Sequence, residues 1–218
     1  MTTLILIAKE TLPGKVKTRL HPPLSLEEAA TLASASISDT LAAVAGLPAT
    51  RRILAFDGTV PPAGSEDYEV IPQVSGGLDA RLGAIFDESD GPTVLIGMDT
   101  PQLSAADLAP VFSDWPAGVD AWFGPATDGG FWALALATPG HLLRRGDLIR
   151  GIPMSRRDTG ALQLRRLWDA GLGVATLPWL TDVDTIDDAF DVAEIAPHSR
   201  FAATLASFDV RAWARSAA

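Results

Sequence analysis

The chain has 218 residues, 47% of them hydrophobic, and a formal net charge of −10, with no cysteine. So negative a field repels phosphate backbones and excludes nucleic acid as a general partner. Without cysteine there is no disulfide framework and no thiolate metal site, which agrees with a reducing compartment.

The apolar run of "MTTLILIAKE" is too short to span a membrane and has no signal-cleavage pattern, so a cytoplasmic protein without membrane insertion is expected. A chain of this size and composition can bury one large core. Residues 1–218 are therefore expected to form a single domain, with a helical tail over about 185–218.

Leu4 to Ala8 reads as a buried strand feeding a Pro-Gly turn. "LSLEEAATLASASISDTLAAVAGL" has Ser25 and Glu28 spaced as a capping box and apolar residues at helical intervals. "RRILAFDG" and "YEVIPQV" are predicted strands, "LDARLGAIFDES" a helix and "TVLIGM" a fully buried strand. Ser104 is a predicted N-cap for the helix in "SAADLAPVFSDW". "DAWFGPA" and "GFWALALA" are predicted strands around a Gly-rich turn. A helix in "DTGALQLRRLWDAG", a strand in "GVATLPWL" and a helix from "TIDDAFDVAEIA" complete the series. Strands alternating with helices predict an α/β fold with a mostly parallel central sheet and helices on both faces. Ligands then bind beyond the carboxyl ends of the strands.

Four stretches carry candidate chemistry. The three lysines of the whole chain, Lys9, Lys15 and Lys17, fall in one segment with Arg19. This segment follows the first strand, and Gly14 lets its backbone approach a ligand, so it suits a small polyanion such as a nucleotide. A solvated basic loop is the plain alternative. The pattern matches neither a Walker A loop nor a dinucleotide-binding glycine fingerprint. "LIGMDTPQL" places Asp99 at the carboxyl end of a buried strand, where it would bind Mg²⁺ or Mn²⁺ or else cap the next helix.

In "LTDVDTIDD", Asp187 and Asp188 suit the first helical turn without any metal, whereas Asp182 and Asp184 precede it. Asp184 with Asp99 would clamp a divalent ion against phosphates, their carboxylates approaching to suit Mg²⁺–oxygen distances near ~2.1 Å. In "FGPATDGGFWAL", Asp128 projects from a turn that also reads as a plain hairpin. Trp122, Phe131 and Trp132 read as core. His21, His141 and His198 lack zinc-ligand spacing, and no acyl-transfer elbow appears.

In this order, "AK…PGKVKTRL", "GMDTPQL", "GPATDGGF" and "DVDTIDD" resemble the GT-A type (Rossmann-like) nucleotide-diphospho-sugar transferase superfamily. More narrowly they resemble its radical-SAM/selenodomain-associated transferase branch, which is similar to 2-phospho-L-lactate guanylyltransferase and the molybdenum-cofactor nucleotidylyltransferases. The resemblance runs from about Leu4 to Phe190. It implies that Lys15, Lys17 and Arg19 contact phosphates and that Asp99 and Asp184 hold the metal. By the same resemblance, Gln73, Gly77 and Arg81 of "QVSGGLDARL" lie near the base or phosphates. Two departures stand out: Thr11 where the family usually has proline, and Met154 where it often has tryptophan, in a region that would shape the acceptor pocket.

The expected activity is metal-dependent nucleotidyl transfer from a nucleoside triphosphate to a small phosphorylated acceptor, with a homodimer left open. Glycosyl transfer from a nucleotide sugar, with Asp128 as base, is the alternative within the fold. A non-catalytic nucleotide-binding module is the alternative outside it.

Overall fold

A computed structural model describes residues 2–137 and 144–210. His141 and residues 211–218 of the expected tail lie outside the described residues. A seven-stranded sheet runs in the order β3-β2-β1-β4-β6-β5-β7. The strands are β1 (Thr2–Lys9), β2 (Ala49–Asp57), β3 (Glu69–Pro72), β4 (Thr93–Ile96), β5 (Ala121–Pro125), β6 (Phe131–Leu136) and β7 (Val174–Thr176). β1 pairs in parallel with β2 and β4, β2 with β3, and β5 with β7. β6 alone runs antiparallel, between β4 and β5.

The helices are α1 (Leu26–Val44), α2 (Leu78–Asp87), α3 (Ala105–Leu108), α4 (Thr159–Asp169), α5 (Ile186–Ile195) and α6 (Arg200–Ser207). Alternation along β1 decides which side each covers, because successive strand side chains point to opposite faces. Leu4, Leu6 and Ala8 join one core with Ala33, Ile37 and Leu41 of α1, and Ile5 joins another with Leu82 and Phe86 of α2 and Leu167 of α4. Both faces of the sheet are thereby covered, as the α/β pattern requires. A third cluster joins Ala29 and Leu32, from α1, to Ala189 and Val192 of α5 and Phe201 and Leu205 of α6. The C-terminal helices therefore pack on the outer side of α1.

The capping chemistry follows the sequence closely. Ser25 and Glu28 form the reciprocal box that starts α1, and Thr185 with Asp188 does the same for α5. α3 starts at Ser104, whose N–H and hydroxyl both donate to Asp107. That cap leaves Asp99 free of the helix-capping role. One boundary differs from expectation: the β4 ladder ends at Ile96, and Asp99 lies three residues past it on the loop. At the other end of the sheet, buried Arg145 donates to the carbonyls of Ser89 and Gly91 and to Thr93 Oγ1, and also to the carbonyl of Ala137.

Candidate active site

The loop after β1 turns at Gly14, whose φ of 74° is one that L side chains rarely adopt. It then reaches Lys17, itself left-handed at φ 48° and ψ 34°, immediately before a single 3₁₀ turn, Thr18–Leu20. This backbone sends the Lys17 side chain inward, where it is only 8% exposed. Its Nζ stands 2.8 Å from Asp99 Oδ1 and 3.4 Å from Asp184 Oδ1. Arg19, on the solvent side, binds Asp184 Oδ2 at 3.0 Å.

Asp99 and Asp184 meet because their loops pair through the backbone. The Val183 N–H donates to the Asp99 carbonyl at 3.0 Å. Further along the same edge, the Thr127 N–H donates to the Leu180 carbonyl at 3.0 Å, tying in the β5–β6 turn. The segment after β7 is thus stitched to the ends of both β4 and β5. The two aspartates expected to form a clamp converge on one ammonium, and the lysine expected to meet phosphate is their counter-ion here.

Burial alone would discourage charge on Lys17, but the carboxylates of Asp99 and Asp184 outweigh it and hold its pKa above the usual lysine value. Asp182, half-buried beside them, is also raised, which for a carboxyl favours the neutral form. Burial first, then the negative charges of Asp99 and Asp128, push its carboxyl up to about 7, against the opposing pull of Lys17. An unfolded aspartate titrates near ~3.9. The folded chain therefore holds an extra proton between ~4 and about 7, and Asp182's contribution to stability, complete below that window, is lost as pH rises through it.

Asp182→Asn should relieve that loss in metal-free protein. We expect a gain of ~1–3 kcal/mol at about pH 8, reduced from the full shift because the group is partly solvated, and almost none at about pH 4. Melting temperatures in EDTA check this, at ~2–4 °C per kcal/mol for a chain of this length; equal effects at both pH values would refute the assignment.

A cleft of about 1160 Å³ opens over these groups. Lys9, Lys15, Lys17, Arg19, Gln73, Arg81, Asp99, Asp128 and Asp184 all line it, whereas Gly14 and Gly77 do not. Gly14 shapes the loop from behind, and Gly77 is the N-cap of α2. Gln73 and Arg81 face the cleft with most of their polar atoms engaged. The Gln73 amide donates to the Ala8 and Ala55 carbonyls, and Arg81 binds Asp57 at 2.9 Å and Gln73 Oε1 at 3.1 Å. Asp128 Oδ1 accepts the Gly130 N–H at 2.8 Å, the local turn bond of a hairpin, yet the residue still faces the cleft. Trp132 is core, 2% exposed, while Phe131 sits partly buried at the cleft wall.

Sequence reasoning did not single out Asp182 as a site residue, nor, within the region assigned by resemblance to the acceptor pocket, Ser155, Arg156 and Arg157, which form another part of the lining. Met154 lies in that same stretch, so its departure from the family's tryptophan falls on the cleft wall.

Asp99 and Asp184 also meet the requirements of a hard divalent cation. They offer oxygen donors, and Asp99 Oδ1 is buried without a well-directed hydrogen bond although Lys17 is close. Among the described residues no three acidic or histidine side chains converge on one point. An ion held by these two aspartates would complete its shell with water and substrate phosphates, as Mg²⁺ commonly does.

A mostly parallel sheet with one reversed strand, and a cleft at its carboxyl edge, is the architecture of the GT-A type nucleotide-diphospho-sugar transferases and related nucleotidyltransferases. A solved structure from Desulfovibrio desulfuricans G20, provisionally described as a nucleotide-diphospho-sugar transferase, shares it at 24% identity and a TM-score of 0.80, covering 96% of this chain and 95% of that one. CMP:2-keto-3-deoxy-manno-octonic acid synthetase complexed with CTP superposes at 15% identity and a TM-score of 0.52, over 90% of this chain and 98% of that one. Glucosyl-3-phosphoglycerate synthase from Mycobacterium tuberculosis, in complex with Mn²⁺, UDP and its product, does so at 12% identity and 0.53, over 94% and 78%. The chain belongs to the family described as "Uncharacterized protein conserved in bacteria (DUF2064)", whose profile matches residues 40–156. No functionally curated protein matches the sequence. Among the described residues no helix is long and apolar enough to cross a membrane.

Proposed function

We propose that the protein is a metal-dependent nucleotidyltransferase, joining a nucleoside triphosphate to a small phosphorylated acceptor in the cytoplasm. The observation that carries this reading is the meeting of Asp99 and Asp184 on Lys17 at the floor of a cleft whose rim bears Lys9, Lys15 and Arg19. Three cations beyond Lys17 suit a triphosphate better than a diphosphate. We read residues 1–218 as one functional unit, since the cleft draws on the chain from Ile7 to Asp188. Within the superfamily we favour the radical-SAM/selenodomain-associated branch, on the sequence resemblance.

In this reading an acceptor phosphate oxygen attacks the α-phosphorus and pyrophosphate departs. The acceptor is already ionised, so no protein base is required. Lys9, Lys15 and Arg19 bind the triphosphate, and Lys17 turns from the carboxylates toward phosphate oxygens as negative charge develops there. A bound Mg²⁺ or Mn²⁺ would neutralise phosphate charge beside Asp99 and Asp184. The chain's contribution is positioning and fixed electrostatics.

Glycosyl transfer is the second reading, and one observation favours it. Asp128 faces the cleft with only Oδ1 engaged by the turn, which leaves a carboxylate oxygen for a base. The manganese and UDP bound by glucosyl-3-phosphoglycerate synthase show what the same fold can hold.

Melting temperatures with nucleoside triphosphates, diphosphates and nucleotide sugars, each with Mg²⁺, Mn²⁺ or EDTA, separate the readings, because a specific ligand stabilises by mass action. Metal-dependent stabilisation by one triphosphate is expected and would identify its base. Selective stabilisation by a nucleotide sugar would favour glycosyl transfer, and binding indifferent to EDTA would favour a non-catalytic module.

A further inference from the structure

Most cations of the cleft are already neutralised. Lys17, Arg19, Arg81 and Arg156 each have a carboxylate partner. Lys9 and Lys15, by the β1 loop, have none among the described residues, and neither does Arg157, which packs beside the β5–β6 turn. An exposed arginine that lines the cleft without a carboxylate partner has its guanidinium available to an anionic ligand.

The backbone presenting Arg157 is held firmly. A Cβ on Gly129 would come within 2.0 Å of the Arg157 carbonyl oxygen, so the two segments touch backbone to backbone. The Gly160 N–H donates to the Gly129 carbonyl at 2.8 Å. Inside the segment, the Thr159 hydroxyl donates to the Pro153 carbonyl at 2.8 Å and accepts the Arg156 N–H at 3.1 Å. Ser155 is left-handed at φ 57°, and Lys17 is the other non-glycine residue with positive φ among the described residues. Both line the cleft. Such strain persists where surrounding structure over-determines the backbone, and it clusters at ligand-holding positions.

We propose that Arg157 determines acceptor specificity by binding an anionic group of the acceptor, a phosphate monoester or a carboxylate, away from the lysines that take the donor phosphates. A guanidinium fork matches either anion through paired hydrogen bonds. Calling that molecule the acceptor rests on the transfer reading above; the anion site itself does not.

The test records melting temperature with Mg²⁺ and α,β-methylene nucleoside triphosphates, then with added glycerol 2-phosphate, lactate or uncharged glycerol. Wild type should gain further stability from one of the two anions and none from glycerol, and the responding anion names the group. Arg157→Gln should bind that anion ~10- to 100-fold more weakly, the loss of a charged hydrogen-bond donor, while its nucleotide response is unchanged. Arg157→Lys, which keeps the charge, should recover part of the affinity.

The proposal fails if Arg157→Gln binds the anion like wild type or loses the nucleotide response as well. It also fails if wild type responds to neither anion. Arg157-dependent anion binding without any nucleotide response would instead sink the transfer reading and leave this site standing.

Discussion

Asp99→Asn should lower turnover at least ~100-fold if the proposed role holds, the usual cost of removing a group that stabilises the transition state through fixed charge. The side chain keeps its volume and loses only its charge, so the fold should survive. Asp184 still pairs with both Lys17 and Arg19 in the variant. The melting temperature in EDTA should therefore stay within a few degrees of wild type, while stabilisation by Mn²⁺ with the preferred triphosphate disappears. Steady-state rates with melting curves on the same preparation decide the matter. Near-wild-type turnover would remove Asp99 from the metal site, and the nucleotidyl-transfer mechanism with it.

Lys17→Met should lower the stability of the metal-free protein and raise its response to Mn²⁺. The substitution leaves Asp99, Asp182 and Asp184 without their shared cation, a cost of ~1–3 kcal/mol once the solvent exposure of Asp99 and Asp184 is allowed for. The metal-free variant should melt earlier. Mn²⁺ alone should then stabilise it more than it stabilises wild type, because the ion no longer competes with an ammonium for the same carboxylates. If Lys17 serves the phosphates as proposed, turnover should still drop at least ~100-fold. Titrating Mn²⁺ against both proteins, without nucleotide, is the measurement; an equal or smaller manganese response in the variant would show that Lys17 and the metal do not share these ligands.

The architecture was legible because it rests on local signals. Ser25 with Glu28 and Thr185 with Asp188 are spacings visible in the chain, and both form the caps that start their helices. The alternating apolar residues of β1 supply both cores. Placing Lys17, Asp99 and Asp184 at one edge needed only the rule that ligands lie beyond the carboxyl ends of the strands.

Side-chain pairing was less accessible. That Lys17 is neutralised by Asp99 and Asp184 depends on a backbone bond between Val183 and Asp99, distant in sequence. Asp182 was overlooked because its raised pKa comes from burial among other carboxylates, which no spacing encodes. The resemblance placed the region of Met154 at the acceptor pocket, but nothing in the sequence told Arg157 from Arg156, which the structure pairs with Asp158.

The reversed strand β6 has a consequence for how this chain tolerates change. Because β6 runs back between β4 and β5, the turn carrying Asp128 falls on the same edge as the loops carrying Lys17, Asp99 and Asp184. The opposite edge holds Arg145, bound to the segment entering β4 and the residue leaving β6. Recognition and fastening thus occupy separate rims of one sheet. A change in an upper-rim loop is therefore expected to leave the fastening of the strands at the lower rim in place.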